Sequence, residues 1–200
     1  MSDRISPLQG HTDPRVAAAG QGEAGVVLSE RPIVSLVQVA AWPDSLEQVE
    51  DTLASLTHCA PPQRPSGSSS REATTIMAIG PGRSLIESGD PALPDKLGAV
   101  VGVDLGAVTD LGHARCCIRV TGPKAAWVLA KGLALDLDIE TFPPLEVAQS
   151  VIHEVGVLVR RLSADSFDLY VFRGFALSFW DWLTEAASET GYRVDPPGSA

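Results

Sequence analysis

The side chains able to do acid–base, nucleophilic or metal chemistry are few, and their spacing suits none of these. The four histidines, His11, His58, His113 and His153, form no Glu-x-x-His or His-x-His pair, so no single helix or strand offers two imidazoles to one metal. Cys59, Cys116 and Cys117 make an odd count without a Cys-x-x-Cys. An adjacent pair does not build an ordinary disulfide framework, which points to reduced thiols. Cys59 has no assigned base partner and no Gly-x-Ser-x-Gly elbow exists, leaving nucleophilic catalysis without support. Neither a Gly-x-Gly-x-x-Gly after a strand nor a Gly-x-x-x-x-Gly-Lys-[Ser/Thr] is present, so no dinucleotide or nucleoside triphosphate is read directly. Gly80-Pro-Gly-Arg83 reads as a turn first, with Arg83 as an anion or carboxylate contact beside it.

The elements that must position these groups are organised around Thr109 to Asp138. Cys116, Ile118 and Val120 alternate with Cys117 and Arg119, the period-two pattern of a half-buried strand. Thr121-Gly122 turns the chain, and Pro123 sits where a first helical residue loses no hydrogen bond. A helix over 123–131 follows, with Ala126, Leu129, Ala130 and Leu133 at helical spacing and Gly132 as its stop.

Composition narrows the class. Two hundred residues suffice for one domain or two fused halves, burying roughly 70% of the unfolded surface. Fifteen Lys and Arg face 25 Asp and Glu, a net charge of −10, and that field repels nucleic acid and anionic membranes. The N-terminus lacks the apolar core of a signal peptide, and no run approaches the roughly 20 apolar residues of a membrane span. A cytoplasmic chain is expected.

In chain order, residues 1–25 read as a tail, laid along a surface or disordered. Ile33 to Trp42 reads as a buried strand. Asp44-Ser-Leu-Glu47 resembles a capping box opening a helix to His58, with Leu46, Val49, Leu53 and Leu56 on one face. Pro61 to Ser70 reads as a loop. Thr74–Ile79 and Arg83–Glu87 flank a hairpin turn. A helix is expected from Pro91 to about Val101, then a strand within 103–111. From Cys116 the order repeats: strand 116–120, helix 123–131, a long strand 149–162, a hairpin at 163–165, strand 167–172, helix 176–190 and a short strand 192–194. The fold class expected is α+β, as two ferredoxin-like β-α-β-β-α-β halves. The expected division is a tail over 1–25, halves over 26–111 and 112–194, and a C-terminal tail over 195–200.

The last helix carries two apolar stripes: Ala176, Trp180, Leu183 and Ala187, then Phe175, Phe179, Trp182 and Ala186. Both stripes can pack inside the chain; alternatively Phe179 or Trp182 anchors another subunit, since buried aromatics dominate interface energetics.

Several stretches together carry a family resemblance. Asp110-Leu-x-His113 before a strand, then Thr-Gly-Pro-x-Ala-Ala and a short helix ending in Leu-Asp136, resembles the folate-binding aminomethyltransferase superfamily, which includes the glycine-cleavage T-protein. Ile79-Gly-Pro-Gly-Arg-Ser-Leu-Ile86 and Phe167-Asp-Leu-Tyr-Val-Phe-Arg-Gly-Phe-Ala-Leu-Ser-Phe-Trp-Asp-Trp-Leu183 narrow this to the gamma subunits of heterotetrameric sarcosine oxidases, over roughly residues 26–194. The catalytic folate enzymes place an Asp after an Asn at the position of Asp136. Here Leu135 precedes it, and Glu154-Val-Gly-Val-Leu-Val-Arg160-Arg161 replaces the Gly-rich acidic strand turn of the folate pocket, setting two cations near Asp136. The resemblance therefore implies a retained scaffold without the chemistry, Asp136 and His113 being structural, Asp136 at a helix end or an interface. It implies no catalytic, cofactor-binding or metal residue on this chain; Arg83 beside its turn and Phe179 and Trp182 on the last helix are the candidate subunit contacts. FAD, FMN, NAD, tetrahydrofolate and zinc would belong to the other chains of the complex, the alpha, beta and delta subunits. The alternative is a free-standing folate-binding or aminomethyltransferase-like protein.

Overall fold

The computed structural model describes residues 5–17 and 23–198. It is a mixed α+β structure with two β-sheets. The chain forms two compact units, the first of residues 1–32, 114–144 and 149–200, the second of 33–113 and 145–148.

The second unit is built on a five-stranded sheet. Its strands are β3 (Ser35–Ala41), β4 (Ser68–Arg71), β5 (Thr74–Gly80), β6 (Arg83–Ser88) and β7 (Gly106–Asp110), in the order β4-β5-β6-β3-β7. Every neighbouring pair is antiparallel. Helices α1 (Leu46–Thr57) and α2 (Leu93–Val100) follow β3 and β6. Val37, Val39, Ile76 and Ile86 from the strands meet Val49, Leu53, Leu93 and Leu97 from the helices in one buried cluster. This is the amphipathic match that the helical and strand periods call for.

The first unit carries a seven-stranded sheet in the order β1-β12-β2-β8-β11-β10-β9. These strands are β1 (Arg15–Ala17), β2 (Val26–Arg31), β8 (Arg115–Thr121), β9 (Val147–Ile152), β10 (Val155–Ser163), β11 (Ser166–Phe172) and β12 (Tyr192–Val194). Helices α3 (Ala125–Ala130) and α4 (Ala176–Ser188) accompany it. Leu28, Ile118, Val120, Phe167, Leu169 and Val171 are fully buried.

Several expectations change. The run expected as one strand over 149–162 is a hairpin: β9 ends at Ile152, His153 turns the chain at φ +52°, and β10 begins at Val155. The capping box does not form. Ser45 makes no cap bond; its hydroxyl donates to the carbonyls of Trp42 (3.1 Å) and Leu105, and a 3-10 turn over Pro43–Ser45 precedes α1. The loop expected over 61–70 contributes β4, a serine-rich edge strand paired to β5. Helix α3 buries Ala125, Val128 and Leu129 while Ala130 is exposed, a stripe rotated by one residue from the expected one. Cys117, expected on the half-exposed face of its strand, is fully buried like Cys116. In the N-terminal tail, Leu8 is fully buried and Arg15–Ala17 pairs with β12; residues 1–4 and 18–22 lie outside the described residues.

Candidate functional site

Asp136 does not end a helix: α3 stops at Ala130 and the carboxylate stands on an exposed loop. Its Oδ1 accepts the N–H of Asp138 at 2.9 Å, an Asx turn that holds the side chain against its own backbone. The cation near this loop is Arg161, and it is committed. From β10 its Nη1 donates to the carbonyls of Leu137 (2.9 Å) and Phe142 (2.7 Å), Nη2 to Ala164 (2.6 Å) and Nε to Ser163 (3.0 Å). Burial pushes its pKa below the ordinary guanidinium value, with Asp165 and Asp138 opposing. A rigid fork with four of its five donors on backbone carbonyls clamps the loop.

Arg160 points to the opposite sheet face, as adjacent strand residues must. It belongs to a register row that runs Ser29, Arg119, Asp168, Arg160 across β2, β8, β11 and β10. Asp168 is 0% exposed. Its Oδ1 accepts Arg119 Nε at 2.7 Å, and its Oδ2 accepts Arg119 Nη2 and Arg31 Nη1, both at 2.9 Å. This is a bidentate pair with a second cation, the geometry in which a buried carboxylate is tolerated. Sequence reasoning missed both charge networks. Their signal was present, because an Asp inside Phe-Asp-Leu-Tyr and an Arg pair inside a β-branched run must find buried partners.

His113 is exposed and separate from Asp136 in the chain's division into units. All three cysteines are free and buried, with Cys116 Sγ 3.7 Å from a Glu30 carboxylate oxygen and Cys59 Sγ 3.6 Å from Ser69 Oγ. Among the described residues no group of three His, Cys, Asp or Glu side chains could hold a metal ion.

Arg83, at the start of β6, lines a cleft of about 420 Å³ with Val39, Leu46, Leu53 and the Pro61–Pro65 segment. Its guanidinium is exposed and makes no ion pair or hydrogen bond among the described residues. A more open groove of about 890 Å³ runs along α1, lined by Asp44, Glu47, Asp51, His58 and Val100. Phe179 is 1% exposed. Trp182 is half-buried, its ring 5.7 Å from Phe179 and 6.2 Å, edge-on, from His153. Gly132 lies beneath it: a Cβ there would come 2.6 Å from Trp182 Cζ2.

The sequence and the fold match known proteins. Residues 77–189 match the sarcosine oxidase, gamma subunit family. The sarcosine oxidase subunit gamma of Corynebacterium sp. (strain U-96) is 30% identical over 117 residues, 58% of this chain and 57% of that protein. The chain therefore aligns with little more than half of that relative's length. The Arthrobacter sp. subunit gamma is 28% identical over 173 residues, 86% of this chain and 85% of the relative. Among solved structures, a chain of the heterotetrameric sarcosine oxidase from Corynebacterium sp. U-96, in complex with pyrrole 2-carboxylate, superposes with a TM-score of 0.80 at 26% identity, covering 94% of this chain and 96% of that one. The glycine cleavage system aminomethyltransferase T from Bartonella henselae shares the fold, with a TM-score of 0.62 at 14% identity over 95% of this chain and 57% of that one. The family match spans more than half of the sequence and the fold agrees along nearly all of it, so this chain belongs to the sarcosine oxidase gamma subunit family.

Proposed function

We propose that the chain is a non-catalytic structural subunit of a heterotetrameric flavoenzyme of sarcosine oxidase type, working beside alpha, beta and delta subunits in the cytoplasm. The observation that carries this reading is the end-to-end likeness to a chain of a heterotetrameric sarcosine oxidase, at a TM-score of 0.80. In this reading the complex converts sarcosine, dioxygen and water to glycine, formaldehyde and hydrogen peroxide. With tetrahydrofolate the one-carbon unit leaves as methylenetetrahydrofolate. FAD, FMN, NAD, tetrahydrofolate and zinc are held by the other chains. The absence of turnover on this chain is supported by the loop at Asp136, whose carboxylate is folded onto its own backbone and whose carbonyls are occupied by Arg161. A pteridine amine would find no buried acid there.

Along the sequence, residues 26–111 and 112–194 form two β-α-β-β-α-β halves of ferredoxin type between tails at 1–25 and 195–200. The order β7-β3-β6-β5 in one sheet supports this for the first half, as does β8-β11-β10 for the second, where β2 takes the place beside β8 and β12 lies beyond it. Arg83 and the exposed edge of Trp182 serve as subunit contacts, with Phe179 backing the indole.

Co-purification of the tagged chain from its source cell tests the reading. Recovery with flavin-bearing subunits is expected, and a colourless monomer would overturn it. A titration of the isolated chain with tetrahydrofolate, followed by tryptophan fluorescence, is expected to give no saturable quenching. Saturable quenching would favour the free-standing folate-binding alternative.

A further inference from the structure

The cleft of about 420 Å³ beside Arg83 is walled by three segments of the second unit: Leu46, Val49, Glu50 and Leu53 of α1, residues 61–65, and the β5–β6 hairpin over 80–84. Val39, Val49 and Leu53 also line it and are themselves buried, so its floor is the surface of the core. Two of the walls are held in place from behind. Glu146 is buried, accepts Ser66 Oγ at 2.7 Å and lies 2.7 Å from Arg64 Nη2. The Val147 N–H donates to the Ser66 carbonyl and the Ser68 N–H to the Leu145 carbonyl, both at 2.7 Å, which ties down the end of the 61–65 segment. At the hairpin the Ala41 N–H donates to the Gly82 carbonyl at 2.8 Å, with Gly82 at φ +61°. Pro61, Pro62 and Pro65 restrict the backbone of their own wall. An apolar floor between pre-formed walls, at this volume, is the form of a small-molecule site.

The charges in the lining say what such a molecule must carry. Three charged side chains line the cleft, Glu50, Arg64 and Arg83. Arg64 is paired with Glu146. Glu50 and Arg83 are exposed and make no ion pair or hydrogen bond among the described residues. One free cation and one free anion therefore share a single apolar cleft. An anion alone would face Glu50 as well as the overall charge of −10, and a cation alone would face Arg83, so like-charge repulsion selects against both. A ligand carrying both charges meets an opposite charge at each end. The guanidinium fork suits a carboxylate in particular.

The geometry points to a binding site for a small zwitterion of amino-acid type, an amino acid or short peptide with an aliphatic side chain. Its carboxylate meets Arg83, its ammonium meets Glu50, and its side chain packs on Val39, Val49 and Leu53. The inference rests on the cleft and not on the subunit reading, and it gives Arg83 a role beside the proposed subunit contact.

The test uses the tagged chain as recovered from its source cell, together with the partners it holds. Equilibrium dialysis with radiolabelled L-leucine and with L-leucyl-L-leucine measures saturable binding per tagged chain. At least one of the two is expected to bind, and which of them does so reports the span between the two charges. Excess leucinamide, which lacks the carboxylate, and 4-methylpentanoate, which lacks the ammonium, are expected not to displace it. Arg83→Gln and Glu50→Gln are each expected to weaken binding about tenfold. Both positions are exposed, and a melting temperature equal to wild type separates a lost ligand from lost structure. Glu50→Gln also leaves the proposed contact at Arg83 in place, so lost binding in that variant with partners retained belongs to the cleft. No saturable binding of either probe, or binding by both variants equal to wild type, would overturn the site and leave the subunit reading standing. A wild-type chain that binds the probe but carries no flavin-bearing partners would overturn the subunit reading and uphold the site.

Discussion

Asp168 shows how single residues specify this protein. Its carboxylate is fully buried in the middle of β11 and pairs with Arg119 and Arg31 at 2.7–2.9 Å. Removing one member of such a group leaves uncompensated buried charge, at a cost of roughly 3–5 kcal/mol. Asp168→Asn is therefore expected to lower the urea midpoint strongly, and a midpoint within error of wild type would show that the ion pairs contribute nothing. Arg161 acts differently, because it satisfies carbonyls rather than a charge. Truncation to Met leaves the carbonyls of Leu137, Phe142 and Ala164 without a donor, each costing about 1–3 kcal/mol where water cannot replace it. Neither role was visible from residue type. The sequence marks Asp168 and Arg161 as charges in apolar runs, but only strand register decides that Asp168 meets Arg119 while Arg160 and Arg161 point to opposite faces.

Among the elements, those with strong period and clear punctuation were legible in the sequence alone. The hairpin around Gly80-Pro81-Gly82, β3, β11, α4 and β12 fall where their alternation and turn residues put them. Strand β2 was not, because Ser29, Glu30 and Arg31 break the apolar pattern while being placed by ladder bonds to β8 and β12. Strand β4 is likewise a strand by pairing alone. The β9–β10 turn was hidden because His153, and not a glycine, takes the left-handed conformation. Close packing of elements gives one prediction. A Cβ on Gly132 would strike the Trp182 indole at 2.6 Å, so Gly132→Ala must displace the ring from His153 and Phe179. A loss of about 1–3 kcal/mol is expected, with an altered near-ultraviolet circular dichroism; an unchanged spectrum would refute the contact. The start of α2 gives another. Asp90 accepts Lys96 Nζ at 2.6 Å and the Ala92 N–H at 2.9 Å. The lysine first, then the backbone amide, hold its carboxyl below the ordinary carboxylate value. A depressed acid stabilises the fold above its unfolded pKa and loses that contribution as pH falls through the lower folded value. Asp90→Asn should thus melt earlier than wild type at neutral pH, and the difference should close in strong acid. A gap that persists undiminished would contradict the assignment.

At the scale of the whole molecule, the sequence is least informative where the chain looks least structured. Residues 5–17 have no hydrophobic period, yet Leu8 is 0% exposed, Ser6 Oγ donates to the Glu30 carboxylate at 2.6–2.7 Å, Arg173 holds the Ile5 carbonyl, and Arg15–Ala17 extends the seven-stranded sheet beyond β12. One apolar anchor and a few polar ties fix this segment to the first unit, so its order depends on tertiary contacts that no local pattern encodes. Burying one leucine contributes about 1.5–3 kcal/mol, and truncating it leaves a cavity besides. Leu8→Ala is therefore expected to cost about 2–5 kcal/mol. The segment should then lose amide protection at Arg15–Ala17, because β1 is a three-residue edge strand that cannot hold its place alone. Gln9→Ala, at the exposed neighbouring position, should stay within about 0.5 kcal/mol of wild type. Hydrogen exchange on both variants decides the matter. Protection kept in Leu8→Ala would mean that the strand pairing and not the leucine holds the segment, whereas protection lost there and kept in Gln9→Ala assigns the anchor to one side chain.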